Sequence, residues 1–241
     1  MQTKTYPRFS AQSQATSLKL ILMSVVGVVL SISGGSVDAS IGNDSSNKST
    51  INERDQYSKP QEVFVFSGVG QGSVVVDVGA GSGYNTSRLL PLIGNSGKVY
   101  SVGGNDKLEE RIEKGDMMGT NNVVIAENAA AVPDGVADVV LLIREFHLAP
   151  DHVAYLKNVH RMLKAGGRVA VVEVRTGKPI GYDHTSHRSG EQTIIKEFEE
   201  GGFEFVGKSD MLRREKDDYT AYAPAGKRYI TDRMLLLFRK I

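Results

Sequence analysis

The sequence predicts an α/β fold: a mostly parallel seven-stranded sheet with a C-terminal antiparallel strand pair and helices on both faces. Three observations predict it. Val-rich apolar runs alternate with helical patterns after about residue 57, a glycine-rich bend follows the first run, and the last two runs have no helix between them. With 241 residues, 40% of them hydrophobic, the chain suits one core.

Residues 1–39 stand apart. Lys4, Arg8 and Lys19 precede the apolar run LILMSVVGVVLSI (20–32), which leads to Gly34, Gly35 and Val37-Asp38-Ala39. This is the layout of a signal peptide, and the run is shorter than the ~20 residues a spanning helix needs. Cleavage is expected after Ala39, giving an exported (periplasmic or secreted) protein; the other reading is an uncleaved N-terminal anchor, the chain's one expected membrane contact. Residues 40–56, rich in Ser, Asn and Gly, read as a flexible linker ahead of a domain over 57–241. The N-x-Ser sequons at Asn43, Asn47 and Asn85 are treated as incidental.

Within the domain, strands are expected at 73–78, 98–102, 122–126, 138–143 and 167–174. The first and fifth are apolar on successive residues, as strands covered on both faces should be. Helices are expected at 60–67, 84–93, 106–114, 151–163 and 189–201. In 151–163 the residues Val153, Leu156, Val159, His160 and Leu163 recur at three- and four-residue spacing, and Ala165-Gly166-Gly167 ends the pattern. The runs 203–207 and 232–240 should pair antiparallel, and the long polar segment between them, 208–230, is of a length that usually carries function.

Composition excludes several chemistries. Lys and Arg total 29 against 28 Asp and Glu, so no overall field attracts nucleic acid. The chain has no cysteine, which removes thiolate nucleophiles and Cys-ligated zinc.

The strongest local signal is VVVDVGAGSG (74–83). A buried strand ends at Asp77, and glycines at 79, 81 and 83 let the backbone bend beside a ligand. Tyr84 stands where a dinucleotide fingerprint would need glycine, and no Gly-Lys-Ser/Thr of a phosphate loop follows. A pyrophosphate ligand is therefore not expected.

From about Lys59 to its C-terminus the chain resembles the class I S-adenosylmethionine-dependent methyltransferases, whose fold is Rossmann-like. VVVDVGAGSG looks like that family's first motif, and NVHRMLKAGGRVAVVE (158–173) looks like its helix, glycine turn and fifth strand. RDQYSKPQEVFVFSGVGQG (54–72) and AVPDGVADVVLL (131–142) are further similar stretches. SDMLRREKDDY (209–219) with KRYITDRMLLLFRK (227–240) is similar to a less characterised subgroup that often carries export signals.

The resemblance implies that Gly79, Ala80, Gly81, Ser82 and Gly83 lie beneath the methionine part of S-adenosylmethionine, with Asp77 ordering the bend and the bound amino group. It also implies a ribose-binding carboxylate after the second strand, where Gly103 stands instead, with Asn105 or Asp106 able to reach back. Asn128, beside Ala129, falls where an acid commonly accepts the adenine amino group. A base near the end of the fourth strand would be Glu145 or His147, the latter alternatively steadying the loop before Asp151. His184 and His187 are three apart with Asp183 adjacent, but loop histidines without a third convergent ligand rarely form a site, so no metal is expected; His187 and Arg188 would line the substrate mouth or cap the next helix. Arg213, Arg214, Asp217 and Asp218 read as a solvated loop face. The function expected is methyl transfer to a small-molecule acceptor. The alternative is an exported, non-catalytic binding protein that keeps the fold.

Overall fold

A computed structural model, which describes residues 53–220 and 230–241, shows how the apolar runs are used. The strands are β1 (Val74–Gly81), β2 (Lys98–Gly104), β3 (Val123–Ala126), β4 (Ala137–Ile143), β5 (Leu163–Val174), β6 (Tyr182–Asp183), β7 (Arg188–Ser189), β8 (Phe203–Ser209) and β9 (Arg233–Lys240). The helices are α1 (Glu53–Ser58), α2 (Pro60–Ser67), α3 (Tyr84–Ile93), α4 (Asp106–Glu113), α5 (His152–Met162) and α6 (Glu191–Glu200). Seven strands form one sheet in the order β3-β2-β1-β4-β5-β9-β8, while β6 and β7 make a small separate hairpin. The first five are parallel, and β9 runs antiparallel to both β5 and β8.

Alternate residues of the central strands supply two cores. Val76, Val140, Leu142, Val171 and Phe238 face Leu156 of α5 and Phe198 of α6. Val75, Leu141 and Val172 face Phe64 of α2 and Leu89 of α3. The two-residue period of a strand thus feeds both faces of the sheet, which is why these runs are apolar throughout.

Several expectations are corrected. Residues 53–56, expected as linker, are helical within α1, which is held by polar contacts rather than by an apolar face. The fifth strand starts at Leu163, because the chain is already extended there and helix α5 ends at Met162, ahead of Ala165-Gly166-Gly167. Val153 is 66% exposed while Leu156, Val159 and Met162 are buried. Each three-residue step turns the helix face by about 60°, so a stripe centred on Val159 rotates away from Val153. Ser189 belongs to the hairpin rather than to the sixth helix. Residues 1–52, with the expected signal, most of the linker, Asn43 and Asn47, lie outside the described residues, as do 221–229 of the long segment.

Candidate active site

β1 and β4 are neighbours, but the chain leaves β1 toward β2 on one side and leaves β4 toward β5 on the other. Such a reversal of strand order opens a crevice at the carboxyl edge of the sheet, and the residues singled out in the sequence end there. At Gly79 φ is +72°, and a Cβ would lie 1.8 Å from Oε1 of Glu145, so only glycine lets the bend and the loop after β4 approach this closely. A cavity of about 260 Å³ lies at the bend, bounded by Gly79, Ser82, Asn85, Arg54, Arg144 and Arg233.

Helix α1 closes one side of this cavity through charge. Asp55 accepts hydrogen bonds from the Tyr84 hydroxyl at 2.5 Å and from Nε and Nη2 of Arg88 at 2.8 and 3.0 Å. The guanidinium groups of Arg54 and Arg88 lie 3.3 and 3.9 Å from the centre of the Tyr84 ring. Burial, with Asp55 adding to it, pushes the Tyr84 phenol up to about 12. Tyr84 therefore stays a neutral donor at neutral pH.

Asp77 lies under the bend, fully buried. Its carboxyl accepts from Thr86 Oγ1 at 2.9 Å and from Asn85 Nδ2 at 3.3 Å, and Thr86 is in turn 2.9 Å from Ser101 Oγ on β2. One side chain thus ties β1, β2 and the first turn of α3 together. Burial raises the carboxyl to about 6, with the Thr86 and Asn85 hydrogen bonds limiting the rise.

The opposite edge of the crevice is open. Gly103 has φ +66° and is exposed, and a Cβ there would meet no atom within 4 Å. Asn105 and Asn128 are exposed, but each already uses its side-chain oxygen as a helix cap, accepting from Lys107 N at 3.2 Å and Ala130 N at 3.0 Å. Ala129 begins the short turn that Asn128 caps. Gly81, Ser82 and Gly83 complete the bend, and Arg111 donates to the carbonyl of Ser82 at 2.7 Å.

The titratable groups cluster where β4 and β5 end. Glu145 is half-buried, and its carboxyl is raised by burial and then by Glu173, against the opposing pull of His147. His147 Nδ1 is 2.8 Å from Oε2 of Glu173, a residue with 0% exposure, and the His147 backbone N–H donates to Oε1 at 3.3 Å. His147 Nε2 lies 3.1 Å from Nδ1 of His187. These contacts tie the loop after β4 to β5, the steadying role that is the other expectation for His147, while Asp151 caps α5 by accepting from Ala154 N.

Two further expectations are corrected. Arg188 does not cap helix α6, whose N-cap Gly190 receives no side-chain bond; it is buried and donates to both oxygens of Asp217 at 2.8 and 3.1 Å. The expected solvated face in 209–219 is likewise partly internal, because buried Asp217 holds the hairpin and also accepts from Asp232 N. Arg213 pairs with Asp232 at 3.1 Å, and Arg214 donates to the carbonyl of Tyr57 at 3.2 Å. His184 stacks on Tyr182 with ring centres 5.7 Å apart.

Sequence reasoning missed Arg54, Tyr155 and Glu173. Glu173 had a signal: a lone carboxylate inside the apolar run of β5 must have a partner once buried. Arg54 had none, since ERDQYS carries no apolar periodicity.

Residues 76–171 match the family model described as a methyltransferase domain. The chain is 30% identical over 171 residues to the ubiquinone/menaquinone biosynthesis C-methyltransferase UbiE of Cronobacter sakazakii, covering 64% of this chain and 66% of that protein. The Pasteurella multocida protein of the same name is 34% identical over 120 residues, 47% of this chain and 44% of its own length. The chain therefore spans between 44% and 66% of these relatives. A SAM dependent methyltransferase from Aquifex aeolicus has the same fold with a TM-score of 0.61 at 18% identity, covering 79% of this chain and 94% of that one. So does a Burkholderia thailandensis 1,6-didemethyltoxoflavin-N1-methyltransferase solved with bound S-adenosylhomocysteine, with a TM-score of 0.56 at 17% identity over 78% and 79% of the two chains.

Proposed function

We propose that this chain, which carries a methyltransferase domain of the class I fold and takes S-adenosylmethionine as its cofactor, methylates a small molecule at carbon. The observation that carries the reading is the glycine bend at the strand-order reversal, lying against a polar cavity and braced from below by Asp77.

The residues fit the cofactor. The bend at Gly79 to Gly83 leaves backbone rather than side chains on the cavity floor, and the edge at Gly103, Asn105, Asn128 and Ala129 is open for an adenosine. When bound, the cofactor supplies an electrophilic methyl group on a sulfonium sulfur. The protein's own tasks are then alignment and exclusion of water. Asp77 fixes the bend, Tyr84 and Arg54 wall the cavity, and Arg54 and Arg144 are suited to the carboxylate of the methionine part. Glu145 and His147 stand where an acceptor would need a base. The presence of two such groups at the end of β4 favours catalysis over a non-catalytic binding role. The proposal for carbon as the methylated atom comes from the names of the curated relatives. The basic start and apolar run of residues 1–32 support export.

Titration calorimetry of the full chain with S-adenosylmethionine and S-adenosylhomocysteine tests the reading. Micromolar binding that Asp77→Ala abolishes is the expected result. No heat at millimolar ligand ends the proposal.

A further inference from the structure

We propose that the cavity lined by Arg175, Lys178, Lys208 and Arg213 is a binding site for the phosphate group of a small phosphomonoester. It shares no lining residue with the cavity at the glycine bend, so the inference goes beyond the methyltransferase reading and does not rest on it.

The cavity forms where β5 ends. Arg175 follows the last residue of that strand, and residues 176–178 turn away from it toward the β6–β7 hairpin. Lys208 comes from β8, Arg213 from the segment after β8, and Glu191 and Gln192 from the first turn of α6. The volume is about 300 Å³, at the lower end of the ~300–1,000 Å³ of small-molecule sites. Gly190 caps α6 without a side-chain bond, so the positive end of the helix adds to the field on this side.

Four cations meet here, and two carboxylates hold them. Glu191 receives Nη1 of Arg175 and Nζ of Lys208. Burial opposes its ionisation, yet Lys208 and Arg175 keep its carboxyl below the usual value, so it is charged at neutral pH. Asp232, with 0% exposure, stands behind the cavity: its Oδ2 is 3.1 Å from Arg213 Nη1 and 3.7 Å from Arg175 Nε. The second distance is too long for a hydrogen bond, and that Nε has no hydrogen-bond partner among the described residues. Arg175 is only 9% exposed, so its charge is incompletely compensated where water scarcely reaches. Lys178, exposed on the turn, enters no ion pair among the described residues.

The excess of two positive charges selects the ligand. A carboxylate would neutralise one of them, whereas a phosphomonoester carries about −1.5 to −2 at pH 7 and matches both. Its three terminal oxygens suit donors that arrive from three places: the end of β5, β8 and the segment after β8. Glu191 pins Arg175 and Lys208, and Asp232 holds Arg213, so these groups are oriented before a ligand arrives.

The test is calorimetry of the full chain at low salt with phenyl phosphate, and with benzoate as the singly charged comparison. Phenyl phosphate should bind with a Kd of about 1 mM or tighter, and about tenfold tighter than benzoate. Lys178→Gln and Arg213→Gln, at exposed positions, should each weaken it about tenfold, whereas Lys114→Gln, which removes an exposed charge from the end of α4, should leave it unchanged. Saturating S-adenosylhomocysteine should leave the probe in place. No binding at about 10 mM, benzoate bound as tightly as phenyl phosphate, unchanged affinity in either cavity variant, equal weakening by Lys114→Gln, or displacement by S-adenosylhomocysteine overturns the site. A chain that binds phenyl phosphate but not S-adenosylhomocysteine upholds the site and overturns the methyltransferase reading alone.

Discussion

Placing aspartate at Gly103 should loosen the fold and tighten the cofactor, and the two effects separate cleanly. Gly103 sits at φ +66° with open space where a Cβ would go, so the penalty for Gly103→Asp is conformational rather than steric. An L-residue in this region costs about 1 kcal/mol, with Asp among the better tolerated. For a domain of this size that corresponds to a fall in Tm of roughly 2–4 °C. The strain is present with and without ligand, so it cancels from the binding equilibrium. The gain does not cancel: a carboxylate accepting from the ribose hydroxyls contributes about 1.5–3 kcal/mol, or roughly ten- to a hundredfold in affinity. Asp106 and Glu109, in the first turn of the adjoining α4, oppose the added charge, so the lower end is expected at low salt. Calorimetry with S-adenosylhomocysteine and thermal melts on the same samples read both quantities. A lowered Tm with unchanged or weaker affinity would show that Gly103 does not lie against the ribose.

Three other perturbations follow from the same geometry. Asp77 is raised to about 6 in the folded chain from the ordinary carboxyl value of 3.8, so its contribution to stability is complete below about pH 3.8 and is lost as the pH rises through about 6. The loss amounts to roughly 3 kcal/mol, and Asp77→Asn should flatten the stability profile between about pH 4 and 6; urea midpoints with the wild-type slope would contradict the cause given. Gly79→Ala should force Glu145 out of the crevice, since the new Cβ would overlap its carboxylate at a positive φ, and should abolish S-adenosylhomocysteine binding; binding within threefold of wild type, an order-of-magnitude limit, would show that the bend is not the cofactor floor. Arg188→Met leaves Asp217 buried without its cation and should cost about 3–5 kcal/mol in urea denaturation, most of it regained when Asp217→Asn is added; an additive double variant would mean that the pair is not coupled.

The parts of the fold that were legible in the sequence are those that apolar periodicity specifies. Helices α2 and α3 fall at 60–67 and 84–93 as the pattern required, and the helix-free run between the last two strands did force an antiparallel pair. What escaped is held by polar contacts at long sequence separation. Helix α1 docks through Asp55, Arg88 and Tyr84, and neither ERDQYS nor its partner reveals this alone. The β6–β7 hairpin has two residues per strand, too few to carry a period. Asp217 looked solvated because its partner Arg188 lies 29 residues away. In the site, the glycine bend was readable because its backbone conformation restricts the residues it can use. His147 was readable only as a candidate, since its role depends on Glu173, 26 residues on, and His187, 40 residues on.

This contrast has a functional consequence. The side of the crevice proposed for the cofactor is made by backbone: a bend whose shape depends on glycine, anchored by one buried carboxyl that joins β1, β2 and α3. Few substitutions preserve it. The hairpin between β5 and α6 is held by the Arg188–Asp217 pair and by the Thr176 N–H, which donates to the Ser189 carbonyl just past the end of β5. Residues 182–189 contribute to neither apolar cluster, so within the hairpin it is the buried Arg188 that folding depends on. On the proposed reading, cofactor use is constrained by the same glycines that shape the sheet edge, while the hairpin, Arg188 apart, can vary at less cost to folding.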